Sequence, residues 1–275
     1  MDTYIDLNSD IGEGFGSYIC GMDAEIIRHI TSANIACGWH AGDPLIMQKT
    51  ARECLRHGVG IGAHPGFPDL MGFGRRNLAV TPEEARAYTL YQLGALDALA
   101  REAAFLRSQS PVASDEGGVA GSVHPLHHVK LHGAFYNLAA RDEKIADSVI
   151  DGIGSYDPNL IIVTLSGSYM ARAARSRGLR VAEEVFADRG YHADGTLVAR
   201  NHPGAFIRDR ETAMRRVVTM AKEGKVATVD GKEMEIRADT VCVHGDNPEA
   251  VAFVIEIRRA LEEAGVSVLP MNRFI

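Results

Sequence analysis

The chain has 275 residues, 46% of them hydrophobic, enough to bury a full core, and single α/β barrels commonly occupy this length, so one domain over residues 1–275 is expected. A formal net charge of −7 without any Lys/Arg block argues against nucleic acid or an anionic membrane as partner, and favours small molecules or proteins. The N-terminus has neither a basic n-region nor an apolar h-region, and no apolar run approaches bilayer length. Cys20, Cys37, Cys54 and Cys242 form no CxxC pair, so a soluble, cytoplasmic chain with reduced thiols is expected.

Short apolar runs alternate with longer amphipathic stretches, the pattern of repeated βα units around a mainly parallel sheet. Strands are expected near Tyr4–Asn8, Asn34–Cys37, Val59–Ala63, His128–His132, Leu160–Leu165, Leu179–Phe186 and Thr240–His244. Asp43-Pro44 opens a helix that ends at Gly58, and Thr81-Pro82-Glu83-Glu84 supplies an N-cap, a first-turn proline and early acids for a long helix through about Leu106. From Ser108 to Ser122 the composition shifts to Ser, Gly, Pro and Ala, a surface excursion before the fourth strand. Residues Lys225–Ile236 read as a small hairpin added to the frame.

Polar residues gather where these strands end. In the first strand Asp6, Asn8 and Asp10 alternate with Ile5, Leu7 and Ile11, so a period of two puts the polar set on one face. Either acid alone could cap a loop; two on a central strand are less easily explained so, because buried unpaired carboxylates are costly and their pKa values are pushed apart. Gly12-Glu13-Gly14-Phe15-Gly16 then reads as a tight turn, not a phosphate loop: it lacks the full GxGxxG spacing, and Glu13 would repel phosphate. The second strand leads into Cys37-Gly38-Trp39-His40-Ala41-Gly42, where glycines around His40 admit a ligand to the backbone. The third ends in Ala63-His64-Pro65-Gly66, followed by a glycine- and proline-rich loop carrying Arg75 that exceeds what a simple connection needs. Each histidine taken singly could be a satisfied structural group; their common position at strand ends, where barrel enzymes keep their chemistry, favours a site.

In the fourth strand His128, Lys130 and His132 share one face. A buried lysine needs a negative partner, and pairing Lys130 with the first-strand carboxylates is consistent, against the alternative of an edge-strand surface lysine. Asp188 and Arg189 follow the sixth strand, where they could be a structural ion pair, and His244 and Asp246 follow the last.

The segments DLNSDIGEGFG from Asp6, NIACGWHAGDP from Asn34, GAHPGFPDLMGFGRR from Gly62, VKLHGAFYN from Val129, EVFADRGYHADGTLV from Glu184 and VCVHGDNP from Val241 closely resemble the LamB/YcsF family. The resemblance runs nearly the whole chain and departs at Ser9 and Leu131, neither of them a charged site residue. It implies a seven-stranded TIM-like (β/α) barrel of the glycoside hydrolase/deacetylase type. It also implies ATP-dependent cleavage of 5-oxo-L-proline to L-glutamate, as the A subunit of a 5-oxoprolinase working with B and C subunits. Under it Asp6 or Asp10 would be the general base, with Lys130 and His132 also catalytic. Asn8, Glu13, His40, His64, Arg75, Asp188, Arg189, His244 and Asp246 would bind substrate. The sequence has no GxxxxGK[ST], so ATP could be held on a partner subunit, and the sequence assigns no metal. The alternatives are a metal-dependent deacetylase or amidohydrolase, for which no HxxEH or HExxH signature appears, and a subunit that only binds.

Overall fold

A computed structural model describes residues 3–109, 125–245 and 247–275 of the chain. Strands β1 (Thr3–Ile11), β2 (Ser32–Ala36), β3 (Gly60–His64), β4 (Leu126–Lys130), β5 (Ile161–Leu165) and β6 (Val181–Phe186) lie side by side in sequence order, all parallel. After them an antiparallel pair, β7 (Lys225–Ala227) and β8 (Glu233–Glu235), stands apart, matching the expected hairpin. Strand β9 (Thr240–Val243) pairs with β6 on one side and with Asp6–Ser9 of β1 on the other, closing a seven-stranded parallel barrel. The sequence reading missed β10 (Val266–Val268), whose three residues pair with Thr3–Ile5 at the start of β1.

Helices α1 (Asp23–Ile26), α2 (Pro44–His57), α3 (Pro82–Ser108), α4 (Gly133–Ala139), α5 (Glu143–Tyr156), α6 (Tyr169–Ser176), α7 (Arg210–Glu223) and α8 (Pro248–Glu263) accompany the strands. Their ends follow local chemistry. The Asp43 side chain accepts from the Leu45 and Ile46 amides with Pro44 at the first turn of α2, and Gly58 closes that helix at φ 68°. Thr81 and Glu84 form a reciprocal capping box at α3. No helix among the described residues is long and apolar enough to cross a membrane. The excursion expected at Ser108–Ser122 lies outside the described residues beyond position 109, as does Asp246.

Outward-facing Leu7, Ile11, Ile35, Ile61, Ala63 and Val129 join the main apolar core under the helices. The inward faces are largely polar, and that sets this barrel apart from one filled by branched aliphatics. At its base Asp6 accepts from Thr31 Oγ1 (2.7 Å), Ser32 Oγ (2.6 Å), Thr240 Oγ1 (2.5 Å) and the Met271 amide (3.3 Å). Met271 caps this end, packed with Ile161, Val163 and Ala182 in a small second core. One layer up, Asn8 donates to Thr240 Oγ1 (2.7 Å), Asn34 donates to Asn8 Oδ1 (2.7 Å), and His128 Nε2 meets Asn34 Oδ1 at 2.9 Å. The polar interior is tolerated because most of its groups satisfy one another, His128 Nδ1 excepted.

Gly62 makes the space for this layer, since a Cβ there would overlap the His128 ring. We expect Gly62→Ala to cost about 1–3 kcal/mol by overpacking. Chemical denaturation of Gly62→Ala, His128→Ala and the double variant should give clearly less than additive losses, because the clash disappears with the ring. Simple additivity would show that the glycine is there for another reason.

Candidate active site

Above the Asn8 layer, at the carboxyl ends of the strands, charge converges on Lys130. Its Nζ lies 2.9 Å from Asp10 Oδ1, 2.7 Å from Glu184 Oε1, 3.1 Å from Asn8 Oδ1 and 3.2 Å from Cys242 Sγ. Four strands thus contribute to one buried ammonium: β1, β4, β6 and β9. Burial alone would depress the lysine, yet Asp10, Cys242 and Glu184 pull it well above its ordinary value. Burial likewise acts to raise Asp10, and His64 and Lys130 overcome it and hold the carboxyl well below its usual range. Tyr136 of α4 donates to Glu184 Oε2 at 2.7 Å, fixing the second carboxylate.

A histidine cluster abuts this centre. His64, at the end of β3, places Nε2 3.3 Å from Asp10 Oδ2 and 3.0 Å from His132 Nδ1. His132 does not lie on β4 as expected: the strand stops at Lys130 and His132 is the N-cap residue of α4. His40, in the loop after β2, stacks on His132 with centroids 3.7 Å apart and 4° between planes, and its Nε2 is 3.3 Å from Glu13 Oε1. Burial holds His40 and His132 well below the ordinary imidazole range. Glu13 is raised to about 7 by burial and by the neighbouring Asp10 charge. Glycines shape the cluster: a Cβ at Gly74 would lie 2.7 Å from His40 Cβ and 2.8 Å from His132 Cδ2, and one at Gly66 would overlap His40. The turn after Glu13 is a bridged hairpin-like turn, with Phe15 and Tyr18 exchanging backbone hydrogen bonds of 2.9 Å.

Asp10, His64, Lys130, His132, Tyr136 and His244 line a cavity of about 60 Å³. Arg75, Arg189 and Arg200 line it too and continue into a cleft of about 670 Å³ whose walls add Arg141 and Arg172 against the acids Glu143 and Asp194. Among the described residues none of these five arginines forms a salt bridge. Arg200 is lowered to about 10, by desolvation first and then by repulsion from Arg75 and Arg189. Guanidinium groups without salt bridges around an open cleft favour anions there, although the nearby Asp188 charge offsets part of the excess at Arg189 and Arg200.

The structure therefore gathers Asp10, Glu13, His40, His64, Lys130 and His132, with Arg75, Arg189 and His244 around the adjoining cavity. It sets Asp6 and Asn8 apart from that cavity. Both are 0% exposed, and their polar atoms are engaged in the barrel base and the Asn34 layer. Burial raises the Asp6 carboxyl even with its four donors. No ion pair joins Asp188 to Arg189 among the described residues: Arg189 donates to the carbonyls of Ala205 (3.1 Å) and Val198 (2.6 Å), and Asp188 Oδ1 is buried without a hydrogen bond. Sequence reasoning passed over Glu184, Tyr136, Cys242 and Arg200. Glu184 had a signal, an acid at the inward parity of its strand between the apolar Ala182 and Phe186.

The sequence pattern of the LamB/YcsF family matches residues 5–107 and 116–275. The chain is 54% identical over 275 residues, the full length of both, to a Fusobacterium nucleatum protein named as the A subunit of 5-oxoprolinase. It is 52% identical over 271 residues to a Pyrococcus furiosus protein of the same name, covering 98% of this chain and 99% of that one. The crystal structure of a lactam utilization protein from Thermus thermophilus superposes with a TM-score of 0.85 at 43% identity, over 97% of this chain and 99% of that chain.

Replacing Lys130 by Met leaves Asp10 and Glu184 buried without their cation, an expected loss of about 3–5 kcal/mol. Asp10 is depressed, so its contribution is present above its ordinary 3.8 and is lost as pH falls below that value. Lys130 is raised, so its contribution is present below its ordinary 10.5 and is lost as pH rises beyond it. The wild-type advantage over Lys130→Met, measured by urea unfolding, should shrink as pH falls, first as the variant's unpaired carboxyls take up protons and then as Asp10 of the wild type does. A difference that grows in acid would contradict the ion-pair account.

Proposed function

The chain belongs to the LamB/YcsF family, and on that premise we propose that it opens the lactam ring of 5-oxo-L-proline to give L-glutamate, driven by ATP and together with B and C partner subunits of a 5-oxoprolinase. One observation supports this reading above others: an acidic, lysine-centred pocket opens directly into an arginine-walled cleft. Such a pair of compartments suits a small ring whose reacting amide enters the inner pocket while its carboxylate, and any phosphoryl group, stays among guanidinium groups.

A lactam is a poor electrophile because its amide is resonance-stabilised. Transfer of the ATP γ-phosphoryl to the amide oxygen gives ADP and an activated imidate that water can attack at carbon. The ring C–N bond then breaks with its electron pair going to nitrogen, which takes up a proton, and a second water releases phosphate to leave glutamate. In this reading Arg75 and Arg200 hold the anionic groups. Asp10, kept ionised by His64 and Lys130, stabilises positive charge near the reacting centre and is a weak base, so water activation falls to the Glu13, His64 and His132 cluster. His244, at the cavity edge, supplies the proton to the departing nitrogen. ATP itself is assigned to a partner subunit, since this sequence has no phosphate loop.

Glutamate release from 5-oxoproline should require this chain, both partners and ATP. Asp10→Asn should lower kcat by about 10²–10³-fold, the size of a lost electrostatic contact, whereas Arg200→Ala should mainly raise KM. Calorimetric titration of the isolated chain with ATP should give no binding heat. Full turnover by Asp10→Asn in the reconstituted complex would remove Asp10 from the chemistry, and ATP-independent release by this chain alone would favour a self-sufficient amidohydrolase.

A further inference from the structure

The two central histidines have their tautomers fixed by backbone carbonyls. His64 Nδ1 lies 2.8 Å from the Lys130 carbonyl oxygen, and His132 Nε2 lies 2.9 Å from that of Phe73. A carbonyl can only accept, so both of those nitrogens carry hydrogen. A neutral imidazole has one N–H, so in the neutral form each ring presents a bare lone pair from its other nitrogen, and a cation among them would take the place of the proton by which a charged His64 holds Asp10 ionised. Those two nitrogens, His64 Nε2 and His132 Nδ1, face each other at 3.0 Å. Further lone pairs converge on the same point: Asp10 Oδ2 is 3.3 Å from His64 Nε2, and Glu13 Oε1 is 3.5 Å from His132 Nδ1. Acceptors buried at such separations repel unless something positive lies among them.

We infer that Glu13, His64 and His132, with Asp10 in reach, form a binding site for a first-row divalent cation. Protons can satisfy these atoms only in pairs, His40 toward Glu13 Oε1 and His64 toward Asp10 Oδ2, and such pairing leaves His132 Nδ1 facing His64 Nε2. A metal ion answers all of them. Ligand bonds of about 2.0–2.2 Å meeting near right angles give ligand separations of about 3 Å, the spacing seen here. Two imidazole nitrogens with carboxylate oxygens suit Zn²⁺, Mn²⁺, Co²⁺ or Fe²⁺ over Ca²⁺. Charge points the same way: Asp10 and Glu184 already share one ammonium, Lys130, and Glu13 faces only the rings of His40 and His132. His40 belongs to the cluster by distance, yet it stacks nearly parallel on His132, so an ion in the plane of one ring lies off the plane of the other. His40 is thus the packing partner of a ligand. Phe73 has the only non-glycine positive φ among the described residues, 54°, and the strained turn aims its carbonyl at His132, as an outer partner that orients a ligand does.

The consequence for catalysis rests on the reading of the pocket as lactam-opening: an ion there would acidify a bound water or polarise the amide oxygen. Binding itself can be measured without turnover. Full-length chain stripped with a chelator and dialysed should take up one Zn²⁺ or Co²⁺ per chain by calorimetry and elemental analysis, with Co²⁺ developing d–d absorption. His64→Gln and His132→Gln should each lose at least about tenfold in affinity while unfolding cooperatively. His57→Ala, on the outer face of α2, should bind as wild type. No uptake above background, or equal uptake by both glutamine variants, overturns the site. Metal binding without glutamate release would sink the proposed function and leave the site standing; glutamate release by a chain that takes up no metal would do the reverse.

Discussion

The architecture depends on one buried ammonium. Lys130 enters the barrel from β4 and meets carboxylates from β1 and β6, a thiol from β9 and an amide from β1, so three other strands of the seven are held to it by charge or hydrogen bonds. A lysine there without partners would lose its proton, and the acids without lysine would be neutral or would disrupt the barrel. The layers below can be polar because hydrogen bonds link them from Asp6 through Thr240, Asn8 and Asn34 to His128, whose Nδ1 is the one ring nitrogen of that layer left without a partner among the described residues. Such an interior adds little stability compared with aliphatic packing. Its value is positional, because it aims Asp10 and His64 to within fractions of an ångström.

The same polar network explains which features were legible in the sequence. Period-two alternation in β1 and β4 exposed the inward set Asp6, Asn8, Asp10, His128 and Lys130, because side-chain direction in a strand is local information. Depth along the barrel is not local. Whether Asp6 or Asp10 meets solvent depends on where Met271 caps the base, a contact 265 residues away. His132 looked like the next inward residue of β4 because period two does not say where a strand ends, and Gly133, at φ 53°, lets α4 begin there. β10 went unseen since three residues carry too short a pattern. Glu184 was hidden by its neighbour: in Glu183-Glu184 one acid faces outward to Arg175 and the other inward to Lys130, and adjacent acids read as a solvated pair.

The helix caps were the most transparent part, since an Asp43-Pro44 or Thr81-Pro82 start is decided within four residues. The barrel followed from their rhythm, because alternating strands and helices leave few closed arrangements. The arginine cleft was the least transparent. Arg75, Arg141 and Arg172 come from separate loops and a helix, and Arg189 and Arg200 from the connection after β6, so nothing in the sequence brings the five together.

Their assembly gives the site a direction. Three carboxylates surround Lys130 and the histidines at the bottom, and five arginines without salt-bridge partners among the described residues occupy the cleft above. The field between them runs along the axis by which the inner cavity adjoins the larger cleft, and low-dielectric walls concentrate it. An anionic molecule is drawn to the rim and resisted at the floor, so a ligand carrying one charged group enters with that group trailing and its neutral face leading. Polar selection of this kind requires the floor to stay compact and neutralised, and it is there, between His64 and His132, that the positive charge of the protein's own side chains runs short.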